Sequence, residues 1–88
     1  MVAVVGFGLL AYAQMCQYTG NVEYRKHPNN STVCQFKNNN AYAVDVYYEI
    51  DGQKECHVWL PASSQYTNGD CTGSGRIMSV QVIACKTN

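Results

Sequence analysis

Apolar and polar residues alternate with a period of two along most of the chain, and this alternation predicts β-strands. The predicted strands are 21–26, 32–37, 41–50, 54–60 and 77–86. No segment after residue 14 shows the spacing of an amphipathic helix, and the glycine-rich stretch 67–75 is predicted to be a loop. The pattern therefore predicts an all-β fold, a small disulfide-stabilised antiparallel β-sandwich or barrel of about five or six strands.

Segments 41–50 and 54–60 have the clearest alternation and are predicted to form a hairpin through the Asp-Gly between them. A two-residue turn would set the apolar side of one strand against the polar side of the next. A three-residue loop, 50–52, gives its glycine the left-handed position of a G1 bulge. This loop places Val44 opposite Val58, and we expect that register.

The other side of this hairpin carries Asp45, Tyr47, His57 and Trp59, with Asp45 expected opposite His57. If this side faces solvent, its aromatic rings among carboxylates are typical of a binding surface. Tyr66, at the start of residues 66–75, is a further binding candidate. If a second sheet covers this side, Trp59 belongs to the core instead, and the sequence leaves both arrangements open.

The chain begins with an uncharged stretch that predicts a signal peptide over residues 1–13. Its apolar run is too short to span a bilayer and ends in Ala11-Tyr12-Ala13, which suits signal peptidase. A basic segment normally precedes such a run, so the signal peptide is expected to be incomplete at its start. Residues 14–88 would then be a single secreted cysteine-containing β domain without a membrane span. A buried first strand or helix is the alternative.

The chain has five cysteines, all of them after residue 14. Their wide spacing differs from the C-x-x-C pairs of metal and redox sites, so we expect disulfides and no metal. The preferred pairing is Cys34–Cys85 and Cys56–Cys71. Cys16 is then the odd cysteine, either free or joining two chains in a disulfide-linked dimer.

Two overlapping N-x-S/T sequons occur at Asn29 and Asn30, within a segment that has the composition of an exposed turn. Either asparagine could carry a glycan if the protein is exported by a eukaryotic cell. The sequence therefore indicates that the secreted domain could be a glycoprotein.

Six basic and six acidic residues give a net charge of zero, so no nucleic-acid partner is expected. The composition favours a secreted, non-catalytic binding protein of the effector, toxin or inhibitor kind, with no cofactor and no catalytic residue. Its partner outside the cell would be a protein or a carbohydrate, bound through Trp59 and its neighbours or through residues 66–75. One alternative is a small secreted hydrolase such as a ribonuclease that uses His27 and His57. Another is a structural matrix or coat component cross-linked through the odd cysteine.

Overall fold

The computed structural model describes residues 16–52 and 55–87. It contains six strands: β1 (Val22–His27), β2 (Asn30–Asn38), β3 (Val44–Ile50), β4 (Glu55–Leu60), β5 (Thr67–Thr72) and β6 (Val80–Lys86). They form two three-stranded antiparallel sheets with strand orders β1-β2-β5 and β4-β3-β6. No helix occurs in the described ranges, and the all-β prediction is confirmed. The predicted signal peptide lies outside the described residues.

Strand β5 occupies much of the stretch that the sequence predicts as a glycine-rich loop. Thr67–Thr72 pairs with β2, with Gln35 opposite Asn68, and the register shifts between Val33 and Gln35. Asn, Gly and Asp have low intrinsic strand preference, which is why the alternation pattern gives no signal here. Pairing with β2 overrides that preference, so the prediction of a loop is wrong for these residues.

The β3–β4 hairpin keeps the predicted faces but not the predicted register. Val44 lies opposite Leu60 instead of Val58, and the last pair before the turn is Glu49–Glu55. The connection is therefore longer than the expected three residues. A displacement by two residues leaves every side chain on its own face, so the apolar sides still coincide.

The turn after β3 contacts a segment that is distant in the sequence. Asp51 and Gly52 both have positive φ angles, 52° and 73°. One carboxylate oxygen of Asp51 accepts hydrogen bonds from the backbone N–H groups of Met78 and Ser79, each at 2.8 Å. The turn thus anchors the connection between β5 and β6, a contact that an isolated hairpin lacks.

The core lies between the two sheets and is built from the inward residues of the alternation. Its buried members are Cys34, Phe36, Val44, Val46, Tyr48, Ile50, Cys56, Leu60 and Ile77. In β3, every second residue from Val44 to Ile50 is buried, as the pattern predicts, but Glu49 on the predicted polar side is buried as well.

Tyr48 is the largest fully buried side chain and crosses the core from β3 to β5. Its ring packs against Phe36, with 4.6 Å between the ring centroids. The phenol donates to the Asp70 carboxylate at 3.2 Å and accepts from the Cys71 N–H at 3.0 Å. Gly69 makes room for it, since a Cβ there would lie only 2.1 Å from the phenol oxygen.

Asn38 closes one end of the sandwich as a fully buried polar group. Its Nδ2 donates to the carbonyl oxygens of Tyr42 and Pro61, and its Oδ1 accepts from the N–H and the side-chain amide of Asn40. Its own N–H donates to Ser64 Oγ. Because each buried polar atom has a partner, the loops after β2 and β4 are fixed to each other at little cost.

Two disulfides staple the domain, Cys56–Cys71 and Cys16–Cys85, and Cys34 is a free, buried thiol. The expected Cys56–Cys71 bond is therefore present and joins β4 to β5 across the two sheets. The expected Cys34–Cys85 bond and an unpaired Cys16 are wrong. Because Cys16 is bonded to Cys85 of the same chain, it has no free thiol with which to form the predicted disulfide-linked dimer.

Strand parity explains the pairing of Cys85. It lies opposite Asp45 on the outer side of the second sheet, whereas Cys34 points into the core. Residues 17–19 run beside the end of β6, and Tyr18 bridges to Cys85 there. That contact brings Cys16 to Cys85 on the same side of the sheet.

The contact between Gly69 and Tyr48 predicts a selective loss of stability. Gly69→Ala should lower the free energy of unfolding by about 1–3 kcal/mol, because the new methyl group displaces a fully buried ring. Gly75→Ala is the matched control, since a Cβ there meets nothing within 4 Å. Urea denaturation measures both, and equal stabilities of the two variants would contradict the packing of Tyr48 on Gly69.

Burial of the phenol, with the Asp70 carboxylate beside it, raises the pKa of Tyr48 to about 12. We therefore expect one of the seven tyrosines to ionise near pH 12 and to be missing from the titration of Tyr48→Phe. Because this pKa is higher folded than unfolded, the associated stability is complete below about pH 10 and is lost as pH rises towards 12. Absorbance titration of the phenolates measures this, and a single transition of all tyrosines near their usual pKa would contradict it.

Candidate functional site

The outer side of sheet β4-β3-β6 carries Asp45, Tyr47, His57 and Trp59, a set called here the Trp59 face. These residues alternate with the core positions of β3 and β4, and the sheet pairs Asp45 with Trp59 and Tyr47 with His57. Neither of the two sheets formed by the described residues covers Trp59, which is 51% exposed. Of the two arrangements that the sequence left open, the structure has the exposed one.

A carboxylate and two rings are linked at the centre of the Trp59 face. His57 Nε2 lies 2.7 Å from Asp45 Oδ1, and the Thr87 hydroxyl donates to Asp45 Oδ2 at 3.0 Å. The Tyr47 and His57 rings stack with centroids 4.8 Å apart and planes 22° apart. The expected contact between Asp45 and His57 thus occurs, although as a diagonal contact and not between directly paired residues.

A small cluster that the sequence did not indicate lies beside the Trp59 face. Ile83 and Cys85 of β6 are buried on this side of the sheet, packed with Cys16 and Tyr47. The Cys16–Cys85 disulfide therefore lies next to Tyr47 at one edge of the face. Strand alternation gives no signal for this cluster, because Cys16 lies outside the strands.

Tyr66 does not belong to the Trp59 face. The Arg25 guanidinium lies 3.8 Å from its ring centroid, and Arg25 Nε donates to Gln35, which in turn donates to Asn68. These contacts place Tyr66 on the outer side of sheet β1-β2-β5. The structure therefore places Tyr66 apart from the four candidates of the Trp59 face.

The two histidines also lie apart, in different sheets. His57 is on β4, while His27 ends β1 and its Nδ1 accepts the Asn29 N–H at 3.0 Å. The two histidines named for the ribonuclease alternative therefore belong to different strands of different sheets. Both sequon residues, Asn29 and Asn30, are exposed at the turn between β1 and β2.

Among the described residues, one group has the composition of a metal site, Cys56, Asp70 and Cys71. Both of its sulfurs are joined in a disulfide, so neither is a thiolate ligand. The Asp70 carboxylate accepts hydrogen bonds from Tyr48 and from the His57 N–H. These residues form a structural joint and not a metal centre.

The free thiol of Cys34 is fully buried on β2. Burial raises its pKa, while the positive charge of Lys26 partly opposes that shift. A thiol with a raised pKa is mostly protonated at neutral pH and reacts slowly.

Comparison with protein-family models, with curated proteins and with solved structures finds no match for this chain. Within the ranges that the structure describes, no helix has the length and apolar character needed to cross a bilayer.

The state of the cysteines predicts a defined labelling pattern. Iodoacetamide should label the native protein very slowly at neutral pH, and denaturation without reductant should expose one reactive thiol, absent in Cys34→Val. Mass spectrometry of unreduced peptides should find Cys16 linked to Cys85. Rapid labelling of the native protein, or more than one label after denaturation, would contradict the arrangement.

Proposed function

We propose that this protein is a secreted, non-catalytic carbohydrate-binding protein that holds a neutral oligosaccharide on the Trp59 face. The observation that carries the proposal is a half-exposed tryptophan beside a hydrogen-bonded carboxylate and imidazole. Sites for small ligands usually combine aromatic side chains with a small number of fixed polar groups.

The chemistry of a sugar matches both parts of this surface. A pyranose presents C–H groups on its ring faces, which pack against an aromatic ring, and hydroxyl groups around its rim. The Asp45 carboxylate is held in place by His57 and Thr87, so its remaining lone pairs can accept sugar hydroxyls without reorganisation. The stacked Tyr47 ring limits the movement of His57 in the same way.

The charge of the protein favours a neutral sugar. The chain has a net charge of zero, and the Trp59 face combines one carboxylate with one imidazole. A strongly anionic polysaccharide would meet the Asp45 carboxylate without an excess of cations to offset the repulsion.

Export from the cell is part of the proposal. Two intramolecular disulfides indicate an oxidising, extracellular type of environment. A signal peptide over residues 1–13 would supply the route to it, and a chain beginning at Gln14 in the secreted protein tests that route.

A matched pair of variants tests the binding surface. Trp59→Ala should weaken binding to an array of immobilised neutral oligosaccharides at least about tenfold, as for a central aromatic contact. Tyr24→Ala should leave binding unchanged, because Tyr24 is equally exposed at 51% but belongs to the other sheet. Trp59 is the single tryptophan, so its fluorescence should shift as a bound oligosaccharide is titrated into the wild type.

Two outcomes would contradict the proposal. One is retention of oligosaccharide binding by Trp59→Ala while Tyr24→Ala loses it. The other is an array without any bound oligosaccharide, together with Trp59-dependent binding to a purified extracellular protein. Urea denaturation of both variants checks that each remains folded.

A further inference from the structure

A cleft of about 340 Å³ opens between β1 and the segment that leads into β6. Its lining residues are Tyr24, Arg25, Lys26, Cys34, Ile77, Met78, Ser79 and Val80. None of them belongs to the Trp59 face. Its volume lies at the lower end of the range of about 300–1,000 Å³ for small-molecule sites, so a ligand of modest size would fill it.

The residues that line the cleft are mainly apolar, and two large ones are exposed to solvent. Cys34 and Ile77 are fully buried at its base. Tyr24 is 51% exposed and Met78 is 76% exposed at its sides. Large apolar groups left in water beside a cavity are typical of a binding site, because a ligand that covers them gains hydrophobic free energy.

One cation is available at the cleft. The Arg25 guanidinium is directed to the other side of its sheet, where it contacts Tyr66 and Gln35. Lys26 is exposed and, among the described residues, takes part in no ion pair. Its charge is close enough to influence the thiol of Cys34.

The negative charge near the cleft belongs to Asp51, which is already hydrogen-bonded. Asp51 accepts hydrogen bonds from the N–H groups of Met78 and Ser79, which line the end formed by the β5–β6 connection. An anionic group would be repelled from that end and attracted to Lys26. An apolar chain would then extend along Tyr24 towards Cys34 and Ile77.

We propose that this cleft is a second binding site, specific for a small anionic amphiphile with a short alkyl chain and a carboxylate head. Lys26 pairs with the head, and Tyr24, Cys34, Ile77 and Met78 surround the chain. The site is independent of the oligosaccharide site, because the two involve different residues of different sheets.

Octanoate is the probe, and octylammonium is the control of equal chain length and opposite charge. Isothermal titration calorimetry of the whole protein should show octanoate binding, with octylammonium at least about tenfold weaker. In ¹⁵N spectra, octanoate should shift the amide signals of Lys26 and of residues 77–80, and leave those of Tyr47 and Trp59 in place.

Lys26→Gln should weaken octanoate binding about two- to fivefold, the effect of one screened charge pair. Lys37→Gln is its matched control, because Lys37 lies near Tyr66 on the outer side of the same sheet and should have no effect. Tyr24→Ala should weaken octanoate binding, and Trp59→Ala should not. Tyr24→Ala is therefore expected to weaken only octanoate binding, and Trp59→Ala only oligosaccharide binding.

Three results would overturn this site: no heat or signal shift with octanoate, equal binding of octylammonium, or shifts confined to the Trp59 face. A concentration-dependent dimer that buries Tyr24 and Met78 would also overturn it, since a second copy would then occupy the cleft. Analytical ultracentrifugation at the concentration of the titration distinguishes that case.

Discussion

The structure depends on the joint at which Tyr48 spans the two sheets. The strands of each sheet pair only with one another, so contacts outside the strand ladders have to fix the relative position of the two sheets. The phenol of Tyr48 contacts the Asp70 carboxylate and the Cys71 N–H, and the same carboxylate oxygen accepts the N–H of His57. The Cys56–Cys71 bond adds a covalent link beside these contacts. Because His57 also carries a ring of the Trp59 face, the joint that holds the core also positions the site.

A chain of 88 residues has little apolar surface to bury, so the position of each staple matters. One disulfide crosses between the sheets, and the other ties the segment before β1 to the end of β6. Each contributes about 2–4 kcal/mol, chiefly by restricting the unfolded chain. Cys34 stays a thiol because its strand directs it into the core, and every other cysteine is already paired. Cys34 therefore contributes to the core as a small apolar side chain.

The alternation of residues predicted which side chains face the core, but not which residues lie opposite one another. The faces of β3 and β4 follow from a period of two, so Asp45, Tyr47, His57 and Trp59 could be grouped from sequence. Their register goes with a longer connection after β3, in which Asp51 binds the backbone of a segment far along the chain. The same limit applies to β5, whose strand forms only against β2, and to Cys85, whose partner is set by the path of residues 17–19. Each of these features rests on a long-range contact that no local pattern contains.

The two outer surfaces of the sandwich differ in how far their aromatic groups are covered. On sheet β1-β2-β5, Arg25, Gln35 and Asn68 form hydrogen bonds to one another, and Arg25 covers Tyr66. On the other sheet, Trp59 remains half in water beside the Asp45–His57 pair. The part of the Trp59 ring that lies in water adds no hydrophobic stabilisation to the isolated domain. A molecule that covered it would gain that free energy, and the fixed carboxylate and imidazole beside it would limit which molecules could do so.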